Sequence, residues 1–181
     1  LKDIEWIFTE KVDGTNIRII WDGHNVVFGG RTNNAQIPSH LVTKLNELFM
    51  GTRMEQVFEQ VFGESKAILF GEGYGAKIQK GGGNYADTQK FVLFDVKVGD
   101  IYLERANVED VASKFSLDVV PIVHRGKLQE GVDIVKNGLK SRWGDFIAEG
   151  LVAKPSVELL NRKGDRIITK IKADDFRVAE S

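Results

Sequence analysis

The sequence predicts a single α+β domain, with mostly antiparallel sheets packed by helices. Short runs rich in β-branched and aromatic residues are joined by tight turn signals at Asp13-Gly14, Asp22-Gly23 and Gly99-Asp100, as in hairpins. Between them lie blocks with apolar residues at helical spacing. Alternating strands and helices also suit a doubly wound parallel sheet. Against that stand the early Asp-Gly hairpin and the lack of a Gly-x-Gly-x-x-Gly element opening a helix.

The elements follow in order. Ile4–Thr9 reads as a strand, and after the Asp-Gly turn Ile17–Trp21 reads as its return. Trp21–Asn25 is a turn, and Val26–Phe28 runs back to Gly29-Gly30-Arg31, a hairpin expected to deliver Arg31 near Lys11. Leu41, Val42, Leu45, Leu48 and Phe49 give a helix behind Pro38-Ser39, and Met54, Val57, Phe58, Val61 and Phe62 a second one closed by Gly63. Ala67–Phe70 is a buried strand ending in Gly71-Glu72-Gly73-Tyr74-Gly75, followed by a flexible basic loop from Ala76 to Tyr85. Phe91–Val96 is apolar on both faces and reads as an inner strand, paired with Ile101–Leu103. Asn107 is the expected cap of a helix carrying Val108, Val111, Ala112 and Phe115 inward. Pro121 interrupts a strand over Val119–Val123, as at an edge or bulge. Leu128, Val132, Val135 and Leu139 give a last helix ending near Asn137-Gly138, before strands at Phe146–Lys154 and Arg166–Lys172.

Composition excludes several classes. Twenty-five basic residues against 26 acids give a net charge of -1, so this is no uniformly basic nucleic-acid coat, although a local basic groove is compatible. Zero cysteines exclude disulfides and thiolate metal sites, and three scattered histidines speak against a histidine-built zinc site. A metal here would be a hard cation held by carboxylates, phosphates and water. No apolar run approaches the ~18 residues of a membrane span and no signal peptide is visible. The default expectation is a cytoplasmic monomer.

Several positions carry chemistry. Lys11, at a strand end beside a glycine that lets backbone approach, is placed as a nucleophile would be, and equally as a surface lysine of a hairpin. Glu72 lies between glycines, and Glu149 just before Gly150. Lys170 and Lys172 share one face of a strand, because strand side chains alternate, which calls for an anionic partner or open solvent. Phe94 suits plain core packing as well as a stacking surface.

In order, Lys11-x-Asp13-Gly14, Gly29-Gly30-Arg31, Phe70-Gly71-Glu72-Gly73, Phe91-x-x-Phe94-Asp95, Glu149-Gly150-x-Val152 and Lys170-x-Lys172 span nearly the whole chain. The set resembles the covalent nucleotidyltransferases, the ATP-dependent ligases and mRNA-capping guanylyltransferases. Within them it is most similar to RNA ligases related to RNA ligase 2, which share Lys-x-x-Gly-Thr-Asn, with Asn16 where DNA ligases and capping enzymes typically carry arginine. Asp13 stands where the type member of that group has histidine. The resemblance implies a nucleotide cleft and ATP as the nucleotide, with Lys11 as the nucleophile forming lysyl-AMP. It implies Lys170 and Lys172 on the α-phosphate, and Glu72 and Arg31 on the ribose hydroxyls and polynucleotide. It further implies Phe94 against adenine, Glu10 and Asn16 at the nucleotide, and Glu149 on Mg²⁺ or Mn²⁺ through water. The partner implied is RNA with a 5′-phosphate and a 3′-hydroxyl end. Lys77, Lys80, Lys90, Arg162, Lys163 and Arg166 are candidates for the surface that holds it.

The resemblance leaves a DNA ligase and a GTP-using capping enzyme as alternatives, and a binding module without catalysis as a third. Retention of Lys11, Glu149, Lys170 and Lys172 argues against the last, because binding needs no nucleophile. NAD-dependent relatives carry an extra N-terminal module, whereas ten residues precede Lys11 here. Nine residues follow Lys172, so residues 1–181 are expected to be one nucleotidyltransferase domain without a C-terminal accessory domain, competent in self-adenylylation and weak in sealing nicks.

Overall fold

A computed structural model describes residues 3–160 and 162–176. The chain forms two compact units, one from Asp13–Val119 and the other from residues 1–12 together with 120–181.

The Asp13–Val119 unit is a sheet covered by three helices. Its strands are β2 (Thr15–Trp21), β3 (Val26–Gly29), β4 (Ala67–Gly75), β5 (Gln89–Val98), β6 (Ile101–Tyr102) and β7 (Asp118–Val119). They run antiparallel in the order β3-β2-β4-β5-β6, with β7 adding a two-residue parallel pairing to β5. The helices are α1 (Ser39–Phe49), α2 (Thr52–Phe62) and α3 (Arg105–Phe115). Strand alternation turns Ile17, Ile19 and Trp21 inward, where they meet Leu69, Leu93 and Val96 and the helix stripes Leu41-Leu45-Phe49, Phe58-Phe62 and Val108-Val111-Phe115. Burying one such leucine or phenylalanine contributes about 1.5–3 kcal/mol. The Trp21 indole N–H is not wasted, because it donates to the Gly63 carbonyl at 2.9 Å.

The other unit is a four-stranded antiparallel sheet in the order β10-β9-β1-β8, backed by one helix. Its elements are β1 (Trp6–Glu10), β8 (Ile122–Gly126), α4 (Leu128–Lys136), β9 (Gly150–Pro155) and β10 (Thr169–Lys172). Trp6, Phe8, Leu151, Ala153 and Ile171 pack with Val135 of α4. Gly131 makes that contact possible, since a Cβ there would lie 2.0 Å from the Phe8 ring.

The fold class stands, and several local expectations need correction. The early hairpin does not form. β1 is buried along its whole length and has both edges filled, by β8 and β9, while β2 lies between β3 and β4. The Asp-Gly stretch is therefore where the chain leaves one sheet for the other. Pro121 marks a similar switch, separating β7 from β8. β4 does not stop before Gly71 but runs through Glu72 to Gly75. Helix α3 begins two residues before Asn107, whose N–H already bonds to the Glu104 carbonyl at 3.0 Å. Glu149 precedes β9 rather than lying within a strand from Phe146, and Arg166 precedes β10. Segment 76–85 is folded rather than loose. Ile78 is buried in the core, Gly82 opens a 3₁₀ turn, and Lys77 and Gln79 adopt positive φ values of 67° and 63°.

Candidate functional site

The carboxyl half of the sheet around β1 gathers four predicted residues. Lys11 follows β1 directly and its N–H donates to the Gly150 carbonyl at 2.9 Å. Gly150 is also the β9 partner of Lys172, and the next residue of the chain, Ala173, donates its N–H to the Glu149 carbonyl at 2.8 Å. Glycine is required between the two lysines, because a Cβ on Gly150 would stand 2.0 Å from the Ile171 carbonyl oxygen. Along β10, Ile171 faces the core while Lys170 and Lys172 share the opposite, exposed face.

The side chains then meet. Lys11 Nζ lies 2.9 Å from Glu149 Oε1, both groups half-buried. The second oxygen, Oε2, is buried and has no hydrogen-bond partner among the described residues. A desolvated carboxylate oxygen without a donor is unfavourable by about 1–3 kcal/mol, so the position calls for a cation or a donor from outside the chain. This fits the single-carboxylate attachment that Mg²⁺ takes when it keeps most of its waters. Among the described residues no group of three or more His, Asp or Glu side chains could enclose an ion.

Glu10 departs from the expectation. Its carboxyl is 1% exposed and both oxygens are occupied within the fold. The Ser141 hydroxyl donates to Oε2 at 2.6 Å and the Arg142 N–H to Oε1 at 2.7 Å. Burial pushes the carboxyl above its usual pKa range, although these two donors and the Arg142 charge pull it down.

In the other unit, Asn16 on β2 is the cross-strand partner of Glu72 on β4. The glycines flanking Glu72 are explained by packing. A Cβ on Gly71 would strike the Phe91 ring at 2.2 Å, and one on Gly73 would strike Leu41 at 2.4 Å. Gly14 lies against the same strand, where a Cβ would come within 2.1 Å of the Gly73 carbonyl oxygen. Phe94 is the extra residue of a bulge, since Phe70 pairs with Asp95 and Gly71 with Leu93. Bulges of this kind re-aim a side chain, and Phe94 is only half-buried between the buried Leu93 and Asp95. Arg31 is exposed beyond the end of β3.

Sequence reasoning missed the residues that hold these parts. Arg18 donates to the Gly30 carbonyl at 2.8 Å and to Asn33 Oδ1 at 3.1 Å, bracketing Arg31. Tyr85 accepts the Asp13 N–H at 3.1 Å, and the Gln79 amide donates to the Gly14 carbonyl at 3.2 Å. A tyrosine and a glutamine after a glycine-rich run carry no motif that would reveal this. The proposed basic surface is divided, with Lys77, Lys80 and Lys90 in one unit and Arg162, Lys163 and Arg166 in the other. Arg166 is withdrawn into an ion pair with Glu158 at 2.5 Å.

The two sheets and their four helices make up an α+β fold of the nucleotidyltransferase type. It is similar to solved structures of Naegleria gruberi RNA ligase. A lysine-to-alanine variant of that enzyme with ATP and Mn matches with a TM-score of 0.74 at 18% identity, over 97% of this chain and 51% of that one. The same enzyme with PPi matches with a TM-score of 0.74 at 19% identity, over 97% and 51%. A glutamate-to-alanine variant with AMP and Mn gives 0.75 at 18%, with the same coverage. This chain therefore spans about half the length of those proteins. The RNA ligase family matches residues 4–172, and the chain belongs to that family.

Proposed function

We propose that this chain carries out the adenylylation chemistry of an ATP-dependent RNA ligase, with Lys11 as the nucleophile. The observation that carries the reading is the Lys11 Nζ–Glu149 Oε1 contact of 2.9 Å, beside a strand that presents Lys170 and Lys172 on one face. The Lys11 amine attacks the α-phosphorus of ATP; a P–N bond forms, the bond to the β-phosphate oxygen breaks, and pyrophosphate leaves. Lys11 must lose a proton first, and an ion pair with Glu149 holds it as the ammonium. A divalent cation bound through Glu149 would draw that carboxylate away and screen the phosphate charge. Lys170 and Lys172 neutralise the negative charge on the α-phosphate. In-line displacement at phosphorus needs mainly such positioning and neutralisation.

In the other unit, the re-aimed Phe94 offers a ring for adenine to stack on, and the Asn16–Glu72 pair offers hydrogen-bonding groups for the nucleotide and its ribose hydroxyls. Arg31 serves the polynucleotide. AMP then passes to an RNA 5′-phosphate, and a 3′-hydroxyl attacks that activated phosphate and expels AMP. The test is incubation with ATP labelled on the α-phosphate and Mg²⁺ or Mn²⁺, followed by denaturing electrophoresis. The expected result is an acid-labile label on the wild type, none on Lys11→Ala or Lys11→Arg, and none from GTP or NAD. Arginine fails because a guanidinium is not deprotonated in proteins. A label that survives in Lys11→Ala overturns the assignment.

A further inference from the structure

We infer that Glu10 serves the reaction without touching the nucleotide. It is a positioning residue whose buried carboxylate locks the hairpin 139–148, and through it the placement of Glu149 against Lys11. The inference rests on the function proposed above and assigns a role to the residue that precedes the nucleophile.

The hairpin is closed by the Ser141 N–H to the Phe146 carbonyl at 2.8 Å and the Ala148 N–H to the Leu139 carbonyl at 2.8 Å. Lys140 bridges Ile147 across it and pairs with Asp145 at 2.7 Å. Its tip is held by Glu10, through the Ser141 hydroxyl and the Arg142 N–H. Ser141 Oγ in turn accepts the Trp143 N–H at 3.0 Å, so a single carboxylate organises three consecutive residues. The residue that follows the hairpin is Glu149, which grips Lys11. The connection is thus a closed ring that leaves the chain at Glu10, runs through the hairpin and Glu149, and returns at Lys11.

Two features make this a positioning role. Both Glu10 oxygens already accept a bond from the fold, and the side chain is 1% exposed, which keeps a ligand from reaching it. Consecutive residues at the end of an extended strand also face opposite sides, so Glu10 and Lys11 do not address one ligand from one face. Ionised carboxylates make short, strong bonds to N–H and O–H donors, and this one acts on backbone, where displacement propagates to the neighbouring residue.

The experiment compares Glu10→Ala and Ser141→Ala with the wild type in two readouts. The first is amide hydrogen exchange at Arg142 and Trp143. Both amides are expected to be protected in the wild type. Glu10→Ala removes the acceptor and should expose Arg142, and Ser141→Ala should expose Trp143. The second is the rate and ATP dependence of Lys11 labelling. At saturating ATP, Glu10→Ala should lose about tenfold or more in rate with KM for ATP within about twofold, as for residues that orient a reacting group. Ser141→Ala should lose less, and the double variant should be no worse than Glu10→Ala, because the hydroxyl acts through the carboxylate. Ser141→Ala removes one hydroxyl and guards against a Glu10 variant that fails to fold. The proposal is overturned by a large rise in KM with unchanged maximal rate, by full activity with an exposed Arg142 amide, or by an Arg142 amide as protected in Glu10→Ala as in the wild type. A wild type that takes no label would sink the proposed function, and the exchange readout would still decide whether Glu10 holds the hairpin.

Discussion

Lys11 and Glu10 are neighbours with opposite fates. Lys11 stands out in the sequence because a lysine three residues before a glycine at a strand end belongs to an ordered set of motifs. Glu10 was read as a nucleotide contact from the same motif, because nothing in the sequence announces that Ser141 and Arg142 return to it. That pairing is a long-range fact, set by the register of β1 against β9. It has a measurable consequence. A carboxyl whose folded pKa is raised binds its proton more tightly folded than unfolded. Its contribution to stability is therefore full below the ordinary value of 4.5 and is lost as pH rises through the raised pKa. Melting temperatures taken from about pH 4 to 7 should show this loss in the wild type and a flatter profile in Glu10→Gln. Identical slopes would mean that Glu10 is not the group titrating.

At the scale of elements, glycines do work that motif reading attributes to chemistry alone. Gly150 is where a Cβ on β9 would strike the β10 backbone, and Gly131 is where α4 meets Phe8. Gly150→Ala should destabilise by about 1–3 kcal/mol, in the range of overpacked sites, and should abolish Lys11 labelling by displacing Lys172. A variant that labels normally would show that the position of β10 does not matter. Arg18 sets a second element-scale test. Arg18→Lys keeps the charge and loses the planar fork, so it should weaken RNA binding about as much as Arg31→Ala, measured by fluorescence anisotropy. Helices α1 and α2 and the β2–β3 hairpin were readable from spacing and turn residues, which are local. The supposed β1–β2 hairpin failed for the opposite reason. An Asp-Gly pair fits a sheet-to-sheet crossing as well as a hairpin, and only the partners filling both edges of β1 decide between them.

For the whole molecule, the near-zero net charge conceals a local concentration of lysines around β1, β9 and β10. The α+β class was legible because strand pairs and helices alternate without a nucleotide-binding glycine helix. The division into two units was not, since it depends on which strands pair. Binding to a 5′-phosphorylated RNA should be strongly salt-dependent, weakening by about tenfold or more between about 50 and 200 mM salt, because displaced counterions dominate such affinities. A flat response would exclude phosphate contacts as the main source of binding. Among the described residues no helix is long and apolar enough to cross a membrane.

The sheet around Lys11 is drawn from two stretches of chain separated by the whole of the other unit, and this governs the order in which the protein can mature. The Asp13–Val119 unit has all its sequence in one continuous piece, so its strands and helices can assemble once that piece has left the ribosome. β1 is made earlier and has no partner to meet. Phe8 pairs with His124 on one side and Ala153 on the other, so its apolar residues wait unpaired until both have been synthesised. Contacts so distant in sequence form slowly, because the intervening loop must close first. Lys11 is thus translated before both of the strands that flank β1, and it is seated only once they have joined the sheet. Pulse-labelled hydrogen exchange during refolding should find amides of β2, β4 and β5 protected before those of β1 and β9.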